Sequence, residues 1–330
     1  MNTPRRGFLK FGAASLLSGF AAPLSAGESR SRGRAYGFVQ IDVFSSKRLQ
    51  GNALAVFTDG RGLSDAEMQD LARETNLQET TFVIPRDAAI EREQGVKVRI
   101  FIPSQEIAFG GHPTLGTAMV LRDRLGTPSP ASRVVLDLQV GKIPVDFSTD
   151  AAGHSYGEMH QVDPVFGESH DRNVVAALVG VRPEDIVENV PIQSVSTGLS
   201  FAIVPLKGLK ALQSIKPDLQ KIREYFGPSK ALADFYYITR DTQDPNTGIR
   251  SRAIFLDGED PATGSASGCL AAWMVRYGVA KSGERIHIEQ GVEIKRPSQI
   301  FASAEKVADK VQNVRVGGNA VEVLRGEYSL

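Results

Sequence analysis

The chain has 330 residues, 42% hydrophobic and 23% charged, with 38 basic and 38 acidic side chains and no net formal charge. That is the composition of a soluble globular protein with a sizeable core, in one large domain or two ordinary ones. No basic stripe interleaved with aromatics offers a footprint for nucleic acid, and the single cysteine, Cys269, excludes an intramolecular disulfide and any metal site built on several thiolates.

Residues 1–26 read as an export address. Arg5 and Arg6 precede Gly7, Phe8, Leu9 and Lys10; an apolar run from Phe11 to Leu24 follows, and Ser25 and Ala26 offer small residues for cleavage. The run is too short and too rich in Gly, Ala and Ser for a membrane span. Paired arginines ahead of Phe-Leu-Lys point to the twin-arginine route, which carries folded proteins, and to a periplasmic destination with no membrane attachment after cleavage. Its removal takes away Arg5, Arg6 and Lys10 and no acid, leaving a slightly acidic chain. Residues 27–34 form a polar linker.

Beyond the linker, strand signals outnumber helix signals. Short strand-like runs occur at 36–44, 52–57, 80–85, 133–138, 142–148, 199–205, 234–239, 252–257, 285–290 and 319–325. The clearest alternation sets Val96, Val98, Ile100 and Ile102 against Lys97, Arg99 and Phe101. Ser64 and Glu67 make a capping box ahead of a helix at 65–75, and 172–179 and 217–226 also read as helical. Strands and helices do not alternate regularly, which disfavours a doubly wound parallel sheet.

Two further helices, near 114–125 and 265–277, are small or apolar on nearly every face until the last turn, and Gly126 and Gly278 follow them as C-terminal stops. A helix that is apolar all round must be enclosed. With so many strands, the enclosing wall is curved sheet. Small-residue loops precede both helices: Gly110-Gly111-His112-Pro113 and Asp260-Pro261-Ala262-Thr263-Gly264. The simplest explanation is an α/β (α+β) chain of two similar halves, each a curved mixed sheet or barrel around a central helix. Residues 35–155 with 318–330 would form the first half and 156–317 the second.

An unoccupied helix N-terminus presents free backbone N–H groups and a partial positive charge. Two such ends facing each other would grip a carboxylate, with Gly111 and Gly264 allowing close approach and Ser265 adding a hydroxyl. Groups suited to proton transfer lie nearby. His112 is inside the first loop, Glu259 and Asp260 open the second, and Glu79 stands at the entry to an apolar strand, where a carboxylate is costly unless partnered. Cys269, in mid-helix, reads as a small buried hydrophobe. His154, Glu158, His160 and His170 match no common metal-ligand spacing. Gly264-Ser265-Ala266-Ser267-Gly268 fails as a nucleophile elbow because alanine holds the central position.

Several segments, taken in order, resemble the PhzF family, the phenazine-biosynthesis-like relatives of diaminopimelate epimerase. They are Asp42-Val43-Phe44 with Gly51-Asn52-Ala53-Leu54-Ala55-Val56; Glu79-Thr80-Thr81-Phe82-Val83; Arg99 to Phe101 with Pro103 and Glu106; and Gly111-His112-Pro113-Thr114-Leu115-Gly116-Thr117-Ala118. Further along come Gly258-Glu259-Asp260 with Ala262-Thr263-Gly264-Ser265-Ala266; Gln290-Gly291; and Arg296-Pro297-Ser298. The resemblance implies two similar halves with the active site between them, a homodimer, and isomerisation of a small carboxylic acid without cofactor or metal. It carries over a proton-moving role to Glu79, supporting polar roles to His112 and Asp260, and carboxylate binding to Gly111, Gly264 and Ser265. Gln78 departs from the pattern, standing where a serine commonly precedes the glutamate. Two other readings use the same residues: an exported protein that binds a small carboxylate without turnover, and a lyase.

Overall fold

Strand Val96–Phe101 shows why this chain folds as sheet: Val96, Val98 and Ile100 turn inward and are buried, while Lys97 and Arg99 between them are only partly covered. Repeated along the chain, that alternation gives the computed structural model a wall of strands with one apolar face. It describes residues 33–125, 131–228, 233–256 and 258–330; residues 1–26, read above as an export address, and Gly126 lie outside the described residues.

The first strands are β1 (Ala35–Val43), β2 (Asn52–Phe57), β3 (Glu79–Ile84), β4 (Val96–Phe101) and β5 (Glu106–Ile107). Next come β6 (Arg133–Leu138), β7 (Gly141–Thr149), β8 (Ser155–His160), β9 (Val165–His170), β10 (Ile192–Ser196) and β11 (Ser200–Pro205). The last are β12 (Asp234–Thr239), β13 (Ile249–Phe255), β14 (Gly258–Asp260), β15 (Ile286–Gln290), β16 (Ser298–Val307) and β17 (Lys310–Ser329). The helices are α1 (Asp65–Thr75), α2 (Ala88–Gln94), α3 (Gly111–Leu125), α4 (Arg172–Val179), α5 (Leu209–Ser214), α6 (Leu219–Phe226) and α7 (Gly264–Arg276).

Two runs of strands follow one plan. In the first, β1–β2 is antiparallel, β2–β3 parallel, β3–β4 antiparallel, β4–β6 parallel, and β6–β7 and β7–β8 antiparallel. The second repeats this order: β10–β11 antiparallel, β11–β12 parallel, β12–β13 antiparallel, β13–β15 parallel, then β15–β16 and β16–β17 antiparallel. β17 also pairs with β8 and with β1, which closes the first run into an eight-stranded barrel. In the second run β9 pairs with β10, and among the described residues no ladder joins β9 to β17.

Helix α3 threads the closed barrel, touching β1, β2, β3, β6, β7, β8 and β17, while α7 packs on β10, β11, β16 and β17. Every residue from Gly264 to Val275 is buried, as an apolar helix surrounded by sheet requires. Gly278 follows α7 with φ +68°, the left-handed stop expected of it. Helix α1 begins on the Ser64–Glu67 capping box and covers the outside of β2, β3 and β4 through Met68, Leu71, Phe57, Phe82 and Phe101. A separate apolar cluster joins α4 and α6 to β11 and β12, including Val175, Ile222, Val204 and Phe235. Full burial of each such side chain is worth about 1.5–3 kcal/mol.

The helix at 172–179 matches α4 residue for residue, and 65–75 matches α1. Strands β5, β8, β9, β10, β14 and β16 and helices α2 and α5 are additions to the sequence reading, and β17 is far longer than the 319–325 run.

Candidate active site

Helix α1 ends on Asn76 in the left-handed conformation, which turns the chain so that Leu77 and Gln78 lead directly into β3. Glu79 is the first residue of β3 and pairs beside Leu54 of β2. Its side chain is 18% exposed, and Oε2 stands 3.4 Å from Nε2 of His112 in the first turn of α3.

The two helix starts touch. A Cβ on Gly111 would lie 2.4 Å from the backbone nitrogen of Ser265 and 2.5 Å from the carbonyl carbon of Gly264, so only glycine fits there. Neither α3 nor α7 carries an acid in its first turn. The residue before α7, Thr263, makes no side-chain cap. Its hydroxyl donates instead to Asp260 Oδ2 at 2.5 Å and accepts from Gln290 Nε2 at 2.8 Å. The first N–H groups of both helices therefore keep their capacity for an anion.

Asn52, at the start of β2, ties the parts together. Its Nδ2 donates to Asp260 Oδ1 at 2.6 Å and to the carbonyl of Ala262 at 3.2 Å, and it lies 3.0 Å from His112 Nδ1. A carbonyl only accepts, so the amide must present its NH₂ here. His112 Nδ1 is then the acceptor, and the ring proton sits on Nε2, facing Glu79. Burial drives the imidazole from its ordinary 6.5 down to about 3, so His112 is a neutral donor at physiological pH. Burial also pushes Asp260 up to about 6, opposed by its bonds from Thr263 and Asn52. Behind it, Gln290 holds the Asp260 carbonyl at 2.8 Å and accepts from Tyr236 at 2.9 Å.

Glu79, His112, Gly111, Asp260, Gly264 and Ser265 all line one cavity of about 210 Å³. Glu259 does not line it. Arg252 grips both its oxygens, at 2.8 and 2.7 Å, so it is a structural partner and not a proton carrier. Cys269 is buried against Thr197 and Leu199, with its thiol raised to about 11 by that burial. His154, His160 and His170 take separate partners: Asp150, Asp146, and Tyr225 with Ser194. The sequence reading gave no role to Asn52, Thr263, Gln290 or Asp234. A buried amide opening an otherwise apolar strand was the available signal for Asn52.

Comparison with known proteins agrees with this architecture. The family model described as "Phenazine biosynthesis-like protein" matches residues 41–326. The trans-2,3-dihydro-3-hydroxyanthranilate isomerase of Pseudomonas chlororaphis is 36% identical over 300 residues, covering 89% of this chain and 99% of that protein. A Bacillus anthracis phenazine biosynthesis protein of the PhzF family superposes with a TM-score of 0.78 at 25% identity, over 90% of this chain and all of the other. A hydroxyproline epimerase from Agrobacterium vitis shares the fold alone, at 13% identity and TM-score 0.62. With a family match that runs through both halves and curated relatives that are isomerases, this chain belongs to the phenazine biosynthesis-like PhzF family and is an isomerase.

Proposed function

We propose that the chain moves a proton between two positions of a small carboxylic acid, with Glu79 as the group that carries it. The substrate carboxylate lies over the first turns of α3 and α7. Glu79 then takes a proton from carbon beside a conjugated or carbonyl system, the electron pair shifts along that system, and the same carboxyl returns the proton to a different carbon. Composition is unchanged and no other reactant is consumed. Nε2–H of His112 faces the base and, with the helix N–H groups, meets the charge that develops as the proton leaves. Asp260 holds Asn52, which in turn fixes the His112 tautomer.

The observation that carries this reading is the carboxylate–imidazole pair at 3.4 Å beside two helix starts in backbone contact. A positioned base contributes roughly 10²–10⁴-fold. Incubation of trans-2,3-dihydro-3-hydroxyanthranilate and a panel of small unsaturated acids in D₂O, followed by mass spectrometry, should show deuterium uptake by at least one. Glu79→Gln should slow that uptake by about 10²–10⁴-fold. Exchange at the parental rate in Glu79→Gln would refute the role, and a desaturated product with a lost leaving group would identify a lyase instead. The paired arginines Arg5 and Arg6 favour export to the periplasm by the twin-arginine route, a proposal that cell fractionation of an Arg5→Lys, Arg6→Lys variant tests.

A further inference from the structure

The strand plan of the two halves gives each paired strand of one a counterpart in the other. β3 runs parallel to β2 and begins at Glu79; β12 runs parallel to β11 and begins at Asp234, paired with Phe201. Both strands follow helices that cross from the preceding strand. The residues just before them, Gln78 and Ala233, line the cavity, as do Glu79 and Asp234 themselves. Asp234 is thus the counterpart of Glu79, entering the same cavity from the opposite half.

Its surroundings are unlike those of a structural carboxylate. Oδ1 accepts the N–H of Phe235 at 2.7 Å, and among the described residues no hydrogen bond or ion pair engages Oδ2. The neighbouring cavity wall is apolar, with Leu219, Ile222 and Phe255, and burial there pushes the carboxyl up to about 7. Arg223 lines the cavity too but makes no ion pair with it. A half-buried carboxyl with one oxygen that no group among the described residues engages has room for a donor from a ligand or water.

We infer that Asp234 is a specificity-determining residue that accepts a hydrogen bond from a hydroxyl or amino substituent on the carbon skeleton of the carboxylate substrate. This rests on the reading in which the substrate carboxylate occupies the helix starts of α3 and α7. Above pH 7, where the carboxyl is ionised, a hydrogen bond to it corresponds to a preference of about ten- to a hundredfold over the unsubstituted acid.

Three stable probes test it by calorimetry: benzoate, 2-aminobenzoate and 3-hydroxybenzoate. The parent should bind at least one substituted acid about tenfold more tightly than benzoate. Asp234→Leu should remove that preference while changing benzoate affinity less than about threefold. Asp234→Asn, which keeps the size and the Phe235 contact, should lower the preference at least threefold and serves if the leucine variant does not fold. A preference that survives both substitutions overturns the assignment. So do equal affinities, or no binding of any probe, in the parent. Glu79→Gln is measured alongside in D₂O: if it still exchanges while Asp234→Leu has lost its discrimination, the proton-transfer reading falls and the recognition role stands.

Discussion

The two halves share a strand plan but not a finish. Around α3 eight strands close completely, because β17 pairs with both β8 and β1. Around α7 the matching run stops at β9, whose outer edge has no ladder among the described residues and whose Phe166 is covered by the guanidinium of Arg276 at 4.1 Å. The polar content differs as well. α3 is held from inside by a hydroxyl pair, Thr81 with Thr117 at 2.8 Å, whereas the start of α7 is held by the network of Asp260, Thr263, Gln290 and Tyr236. Duplication supplies the frame, and the departures from symmetry supply the polar groups of the cavity. One half gives a neutral histidine and a largely covered carboxylate, the other a buried carboxyl that reaches the histidine through Asn52.

The largest expected effect on that comparison comes from the cores. Leu115 in α3 and Leu270 in α7 are both fully buried. Truncation to alanine should cost about 2–5 kcal/mol, with Leu115→Ala at the upper end because a closed barrel cannot relax into the cavity. Denaturant unfolding measures both, and equal losses would show that closure has no mechanical consequence.

Next comes pH, where the halves should pull in opposite directions. His112, depressed to about 3, contributes stability that is complete above its ordinary 6.5 and lost as the pH falls toward 3. Asp260, raised to about 6, contributes stability that is complete below its ordinary 3.8 and lost as the pH rises through 6. Between pH 7 and 4 the melting temperature of His112→Gln should therefore fall less than the parent's and that of Asp260→Asn should fall more. Each difference corresponds to at most about a few kcal/mol of unfolding free energy. The same sign for both would contradict their burial.

A smaller asymmetry lies at the helix starts. A methyl on Gly111 meets the backbone of α7 at 2.4 Å, while one on Gly264 meets the edge of the Phe44 ring at 2.8 Å and backbone only at 3.2 Å. Gly111→Ala should cost about 1–3 kcal/mol and lose carboxylate binding, and Gly264→Ala less. Calorimetry with benzoate reads both. The smallest effect is at the open edge: Arg276→Ala should cost about 0.5–1 kcal/mol and speed amide exchange in β9 without touching β1.

Much of the frame was legible because strong alternation or full apolarity leaves few alternatives, as in Val96–Phe101, α4 and α7. Elements that bury small or few side chains were not. β16 faces inward through Ala302 and Ala304, and β9 is mostly exposed, so neither writes a strong period. In the site, the residues of the two loops were readable because glycine beside a helix start has a local meaning. Asn52 and Gln290 act only through partners more than 25 residues away, and Asp234 acquires significance from the matching of β12 with β3. Those relations exist in three dimensions and leave no spacing to read.

One consequence follows from β17. The barrel around α3 is built almost wholly from residues before 161, yet it closes only when Lys310–Ser329 is in place. During synthesis the first half must therefore wait on the ribosome, its β1 and β8 edges unmatched, until the last strand emerges. A stop codon in place of Val316 would open a wall laid down almost three hundred residues earlier.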